Sequence, residues 1–527
     1  MTPVAGTSAP TPARSADRQP SRPSRAATPA TVLLAALALF LCYVTVSRKV
    51  PVTSDAASSA LQAWDMLHGN WLLHRWWLSD VSFYTTELPE YMFIETVRGL
   101  SPDVVHVAAG LTYTLLVLGA ACLARGQAAG WIANTRMLLG GGIMLAPQLA
   151  GVPVLMLAPD HLGSAVPVLA VLLLLDRAPS RWWVPALTGA VLSWALVADK
   201  VLLVTAVLPL LAVCAGRVCH DVARRQPLRS RWLELWLICA AVVAVGLSSA
   251  ALALIAAHGG FRVMPLNARL VPWPRVLLHL KLIPHGLGLL FGVSTTSHAW
   301  VMRGLALLHL AGLALAVWGV GAALWRFPRL SLVDQLLVSG VLINLLAYVL
   351  LIPGGLPYST REYTAVLPLS AALAGRMAGR RLLSPRLAPV TASVLAGYVL
   401  SLATVMSAPA APSPDAPLAR WLLAHHLDYG LGPYGSGNIT TVSTGNQVHV
   451  VVVEFRGGRC YPVLLEAQAS AYDPRLHDAT FLVQTPAVGA ILRIFGPPDH
   501  VYRVGLNKVL VWRKNLLEDV QPPPGGF

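Results

Sequence analysis

Charge is what this 527-residue sequence has least of. Only 12% of its residues are Asp, Glu, Lys or Arg, against about 25% in ordinary soluble domains. With 55% hydrophobic residues and a mean hydropathy of +0.61, too little polar surface remains to cover a water-soluble core. A soluble enzyme, a disordered scaffold and a coiled coil are excluded together, which leaves a polytopic α-helical membrane protein. Acids are scarcer still, 24 against 39 bases, for a net charge of +15. In a soluble chain that balance would point to nucleic acid. In a membrane chain it reads as topology, because short cytoplasmic loops collect Lys and Arg, so no nucleic-acid partner is expected. Cysteine is also sparse: six residues with no CxxC pair, five of them in or beside apolar runs and only Cys460 in polar sequence. Neither a disulfide framework nor a thiolate metal site is expected.

Long apolar runs, by contrast, are abundant. A membrane span needs about 20 mostly apolar residues, and the candidates are 31–47, 104–124, 137–157, 163–176, 183–198, 201–216, 233–257, 300–325, 331–352, 364–379 and 388–407. These make about eleven transmembrane helices. Residues 1–30, rich in Ala, Pro, Ser, Thr and Arg, read as a disordered cytoplasmic tail. Arg14, Arg18, Arg22 and Arg25 ahead of Thr31–Ser47 mark that run as a signal anchor with the N-terminus inside. The loops then placed inside hold Arg125 and Arg136, Arg177 and Arg181, the run from Arg217 to Arg231, Arg326 and Arg329, and the run from Arg376 to Arg386. Hydropathy and arginine placement agree, and the C-terminus falls outside the plasma membrane.

Three outside pieces are too long to be turns. Residues 48–103 form a first large loop with amphipathic stretches Ala60–Leu67 and Leu88–Val97. Residues 258–299 form a second, basic and interrupted by proline. Residues 408–527 open on the Pro-rich linker Ala408–Pro417 and carry strand-like runs, Gln447–Phe455 and Lys508–Arg513. A small α+β extracytoplasmic C-terminal domain is expected there, beyond a transmembrane domain over 31–407.

On this threading the scarce acids gather on one side. Asp55, just past the first span, reads either as a helix N-cap or as a base facing an outer cavity. Glu87 and Glu90 open a helix, where the dipole favours acids, and Glu87, ahead of Pro89, is the cavity candidate. Asp160 and His161 share a very short outer turn. Asp199-Lys200 interrupts an apolar stretch, and the threading sets it at an outer helical turn with incomplete burial. Lys200 suits a lipid-linked phosphate as a point charge. In Tyr358-Ser359-Thr360-Arg361-Glu362-Tyr363, Arg361 can hold a phosphate bidentately or anchor at the interface with Tyr358 and Tyr363. Carboxylates and cations around one cavity suit transfer from a phosphate-linked donor: an acid deprotonates an acceptor hydroxyl, and cations meet the leaving phosphate.

The arrangement resembles the GT-C superfamily of integral-membrane glycosyltransferases, which use polyprenyl-phosphate sugars. The likeness rests on Asp55 in a long first outer loop, Asp160 in the next short one, Gly189…Ala198-Asp199-Lys200, and Arg361-Glu362-Tyr363…Leu367-Pro368. It implies a GT-C-like fold and a hexosyl- or pentosyltransferase with a cell-envelope glycan, lipid or protein as acceptor. It further implies Asp55 as general base, assisted by Asp160, and Lys200 and Arg361 on the lipid phosphate with Tyr363 beside them. Asp55 is followed by Ala56 rather than a second acid, unlike the protein mannosyltransferases. Asp160 lacks the Asp-x-Asp of the metal-dependent oligosaccharyltransferases. A divalent metal stays an option, with His161 and His258 as candidate ligands or simple interface histidines, and no other cofactor is implied. The Ala/Leu/Arg/Pro-rich composition looks actinobacterial. Two other readings stand beside the enzyme: a transporter or flippase, and a non-catalytic GT-C-like protein that binds envelope polymer.

Overall fold

The structure, a computed structural model, describes residues 27–157, 161–227, 231–264, 269–293, 300–351, 359–379, 384–484 and 488–522. The first helix, α1 (Ala27–Ser47), leads into α2 (Ser54–Leu67), a short strand β1 (Trp76–Leu78) and α3 (Glu87–Arg98). The bundle continues with α4 (Pro102–Arg125), α5 (Gly130–Met144), α6 (Ala165–Arg177), α7 (Val184–Ala198), α8 (Leu208–Ala223) and α9 (Trp232–Ala257). After β2 (Arg262–Val263) come α10 (Trp273–Leu290), α11 (Trp300–Trp325), α12 (Leu332–Leu351), α13 (Val366–Met377) and α14 (Ala388–Ser407). The two expected amphipathic stretches are thus the helices α2 and α3.

Among the described residues seven helices are long and apolar enough to cross a membrane. Their outward faces are apolar, as lipid requires: Leu33, Leu34, Val242, Val243, Leu247 and Leu307 are all exposed. Trp300 and Trp325 are 83% and 89% exposed at the two ends of α11. The 25 intervening rises separate them by about 38 Å, close to a bilayer with its interfaces at about 40–45 Å. The remaining expected spans are shorter: α5, α6, α7 and α13 have 15, 13, 15 and 12 residues. The run 137–157 is not one span. Pro147 disfavours the helical conformation of Ala146 before it, so α5 stops at Met144 and the chain re-forms only as one π-helical turn, Pro153–Leu157.

One end of the bundle is locked by arginine. Arg376, in the last turn of α13, donates to Asp334 of α12, to Asp176 of α6 (3.0 Å) and to the Leu123 carbonyl of α4 (2.9 Å). Close by, Arg217 of α8 joins Glu234 of α9 (2.9 Å) and Gln335 of α12 (3.0 Å), and Arg231 joins Asp221 and Glu234. Several arginines assigned by sequence to one side therefore share one end of the molecule, where they clamp helix ends. Lysine cannot reproduce the planar, three-way reach of Arg376. Arg376→Lys is expected to cost about 1–3 kcal/mol, read as faster thermal inactivation in detergent; an unchanged half-life would refute the clamp.

The opposite end carries the rest. A mixed six-stranded sheet is built from β3 (Tyr429–Gly432), β4 (His449–Arg456), β5 (Arg459–Pro462), β7 (Phe481–Val483), β8 (His500–Val504) and β9 (Asn507–Val511), in the order β5-β4-β3-β7-β9-β8. Its centre, β4-β3-β7, is parallel, because α16 (Gly437–Ser443) crosses over between β3 and β4. The expected α+β unit therefore has a βαβ heart with antiparallel edges. Separate apolar clusters, one containing Leu431, Cys460 and Trp512 and another containing Leu418, Phe481 and Val509, pack it. The Cys460 thiol is buried rather than set in a polar surface. A second, three-stranded sheet pairs β1 with β2 and with β6 (Ala467–Gln468), at Trp77↔Arg262 and Trp76↔Gln468. It stitches the first loop, the second loop and the C-terminal domain into one body.

Candidate active site

The site forms where α2 meets the C-terminal domain and the turn before α13. Helix α2 is capped by Thr53, whose hydroxyl accepts from the Ala56 amide (3.3 Å) and donates to the Leu157 carbonyl (3.0 Å). Thr53 takes the N-cap duty that sequence offered to Asp55. The Asp55 carboxylate is left in the first helical turn, partly open to solvent, where the helix dipole favours its charge. Its Oδ1 accepts from the Tyr434 hydroxyl at 2.6 Å, and its Oδ2 lies 3.6 Å from Arg361 Nη1. The same Tyr434 oxygen is 3.1 Å from Glu466 Oε2. Burial, Glu466 and Asp55 together push the Tyr434 phenol well above its ordinary value, so it remains a donor. One phenolic proton thus serves two carboxylates.

Arg361 and Glu362 are neighbours, and Glu362 carries the network to a second hub. His161 Nε2 lies 3.1 Å from Glu362 Oε2, and His161 Nδ1 lies 2.9 Å from Asp199 Oδ2. Asp199 also accepts from Ser164 Oγ at 2.6 Å and from the Val201 amide at 2.8 Å. Burial opposes the imidazolium of His161, but the Asp199 and Glu362 carboxylates outweigh it and raise its pKa. Burial likewise opposes both acids, and His161 overrides it to lower them. His161 takes a left-handed conformation, φ 49°, uncommon for a residue with a Cβ, and so turns its ring between the two acids.

The structure brings most of the sequence candidates to this network, in different roles. Lys200 follows Asp199 directly but stays half-buried, and its ammonium makes no ion pair or hydrogen bond among the described residues. The two side chains part: the Asp199 carboxylate has no exposed surface, so burial at this turn is complete for Asp199 and partial for Lys200. Glu87 approaches from behind. A Cβ on Gly163 would overlap its Oε1, so only glycine admits it to the turn. Thr86 donates to its other oxygen. Burial above all pushes the Glu87 carboxyl up to about 8, with Asp199 and Glu90 adding to the rise. It stands as a protonated neighbour of Asp199, enclosed rather than facing open space. Tyr363 is also turned away, fully buried against Tyr348 at 4.6 Å between ring centres. Asp160 and Tyr358 lie outside the described residues. His258 is exposed at the end of α9, bonded to the Leu254 carbonyl, apart from the site.

For a metal, both ring nitrogens of His161 are already taken as donors to carboxylates, which leaves no lone pair to coordinate. Among the described residues no group of three or more His, Cys, Asp or Glu is arranged to hold a metal ion. Sequence reasoning missed Tyr434 and Glu466, 379 and 411 positions beyond Asp55, which no local pattern flags. It quoted Glu362 and Asp199 without seeing that His161 joins them. An acid inside an apolar run was the available signal, since such charges are costly unless paired.

No family model matches the chain, and no curated protein matches its sequence. Its fold does match a solved one: ArnT from Cupriavidus metallidurans in the apo state, at 15% sequence identity and a TM-score of 0.58, over 94% of this chain and 100% of that one. The same protein bound to undecaprenyl phosphate matches at 15% identity and a TM-score of 0.57, with the same coverage. The helical membrane fold with a strand-bearing C-terminal domain expected from sequence is thus shared with ArnT.

Proposed function

We propose that this chain is a membrane glycosyltransferase. It moves a hexose or pentose from a polyprenyl-phosphate donor to a glycan, lipid or protein of the cell envelope, of the actinobacterial kind its composition resembles. The observation that carries the reading is Asp55: a solvent-accessible carboxylate held by a phenolic donor, with a guanidinium 3.6 Å away. Asp55 takes the proton of the acceptor hydroxyl, whose oxygen attacks the anomeric carbon as the bond to the phosphate breaks. The released charge is met by Arg361 and by Lys200. Tyr434 keeps Asp55 in place by donating to it. The sheet-bearing end is read as extracytoplasmic, which sets the arginine clamp in the cytoplasm, where basic residues collect. The fold shared with a structure that contains undecaprenyl phosphate supports a lipid-phosphate site of this kind.

Thermal stability of the purified protein with added undecaprenyl phosphate tests the donor side. A ligand present at about 100 times its Kd stabilises by about 2.7 kcal/mol, a readily measured rise in Tm. Lys200→Ala and Arg361→Ala are each expected to weaken binding about tenfold, the lower range for a charge-assisted contact. No stabilisation of the wild type, or equal stabilisation of both variants, would defeat the assignment.

A further inference from the structure

A second cavity opens between α2 and the C-terminal sheet, of about 140 Å³. Leu61, Trp64 and Asp65 of α2, Trp76 of β1, Asn438 of α16 and Glu466 are among the residues that line it. A cavity of about 150 Å³ admits one benzene ring, so this one has room for a single six-membered ring. Two of its polar groups, on Asn438 and Asp65, have hydrogen-bonding capacity left among the described residues. Asn438 is 9% exposed, and its Nδ2 is buried with no hydrogen-bond partner among the described residues. Buried amide donors are nearly always satisfied, so this orphan marks a missing ligand atom. Asp65 Oδ2 accepts from Trp76 Nε1 (2.7 Å) and Asn70 Nδ2 (2.6 Å), while its Oδ1 has no hydrogen bond among the described residues.

The chemistry of the lining selects the occupant. No lysine or arginine contributes, and Asp65 and Glu466 repel anions, so a phosphate is not what fits. His449 in the wall is held neutral, its pKa lowered first by burial and then by His477. What sets the chemistry is two indole rings beside the Asn438 amide and the Asp65 carboxylate, each with one polar atom not hydrogen-bonded among the described residues. Such a set matches a pyranose, whose C–H face lies against indole while its hydroxyl pairs reach planar oxygen and nitrogen atoms. Glu466 is shared with the site described above, through the Tyr434 hydroxyl that also bonds Asp55. Along α2, Leu61 and Asp65 are 6 and 10 residues beyond Asp55, or about 9 and 15 Å at 1.5 Å per residue.

We propose that this cavity is an acceptor subsite, holding an inner sugar residue of a neutral glycan chain whose far hydroxyl reaches Asp55. The proposal rests on the glycosyltransferase reading and adds to it the acceptor class: an oligosaccharide, since a single sugar cannot fill the cavity and reach Asp55 together.

The full-length protein in lipid nanodiscs, offered end-labelled neutral hexose and pentose oligosaccharides of one to four units, tests it. Binding is expected to favour the longer members. Asn438→Leu removes no hydrogen bond made within the described residues, and Asp65→Asn keeps an acceptor for Trp76 and Asn70 while offering the cavity a donor instead. Each is expected to weaken oligosaccharide binding about tenfold, the cost of an unpaired polar group, and to leave undecaprenyl phosphate binding unchanged. Oligosaccharide binding equal in both variants and wild type, or absent from the wild type, overturns the subsite. The undecaprenyl phosphate measurement reads the donor reading separately, so the two can fail independently.

Discussion

Asp55→Asn is expected to lower sugar transfer about 10²–10⁴-fold, the usual contribution of a positioned general base. The substitution is nearly isosteric. The amide oxygen still accepts from the Tyr434 hydroxyl, whose 2.6 Å bond is the main tie on this side chain, and Thr53 still caps α2. Expression, thermal stability and undecaprenyl phosphate binding should therefore hold while turnover falls. The loss should appear in kcat with little change in KM for the donor, because the proton moves only in the transition state. Tyr434→Phe provides the contrast: it leaves the base but removes its donor, so a smaller fall with an altered pH profile is expected. Full turnover in Asp55→Asn would remove Asp55 as the base, whereas no turnover in the wild type would favour a protein that keeps the fold and binds polymer without chemistry.

The second large effect is on stability. His161→Phe leaves Asp199 and Glu362 facing one another without their cation, and breaking a buried pair in this way costs about 3–5 kcal/mol. The sign of the pH dependence follows from the direction of each shift. His161 is raised in the folded state, so its contribution is complete below its unfolded pKa of about 6.5 and fades as pH rises through the higher folded value. Asp199 and Glu362 are lowered, so theirs is present above about 4 and fades as pH falls through the folded values. The wild-type network is thus intact from weakly acidic pH to above 6.5. In the variant the two acids can only neutralise, so its deficit should shrink towards pH 5 and widen towards pH 8. Inactivation half-lives at a fixed temperature across that range measure it. Adding Asp199→Asn and Glu362→Gln should recover most of the loss, since a neutral set needs no counter-ion. Parallel half-lives for the wild type and His161→Phe at every pH would exclude the hub.

How much of this was legible in the sequence depends on the range of the interaction. The α2 and α3 helices, the apolar spans and the strands at 449–456 and 507–511 are written in local periodicity. The meeting of Asp55 with Arg361 was expected from a threading of eleven spans, whereas among the described residues seven helices are long and apolar enough to cross a membrane. The break after Met144 was also local, in Pro147, but hydropathy weighs proline too lightly to show it. Glu87 was expected to face the cavity, and its enclosure behind Gly163 depends on a turn more than 70 residues away.

The sequence by itself determined the solvent of this protein. A shortage of charge cannot be hidden in water, whereas the role of the arginines as clamps came from the structure. Tertiary structure alone decided the chemistry of the site. It set Tyr434 and Glu466 against Asp55, turned Asp199 inward while leaving the Lys200 ammonium without an ion pair or hydrogen bond among the described residues, and spent both nitrogens of His161 on carboxylates. The physical reason is that hydropathy is a property of each residue and adds along the chain. A carboxylate's role depends on which donors and charges stand within about 4 Å, and those come from segments hundreds of residues apart.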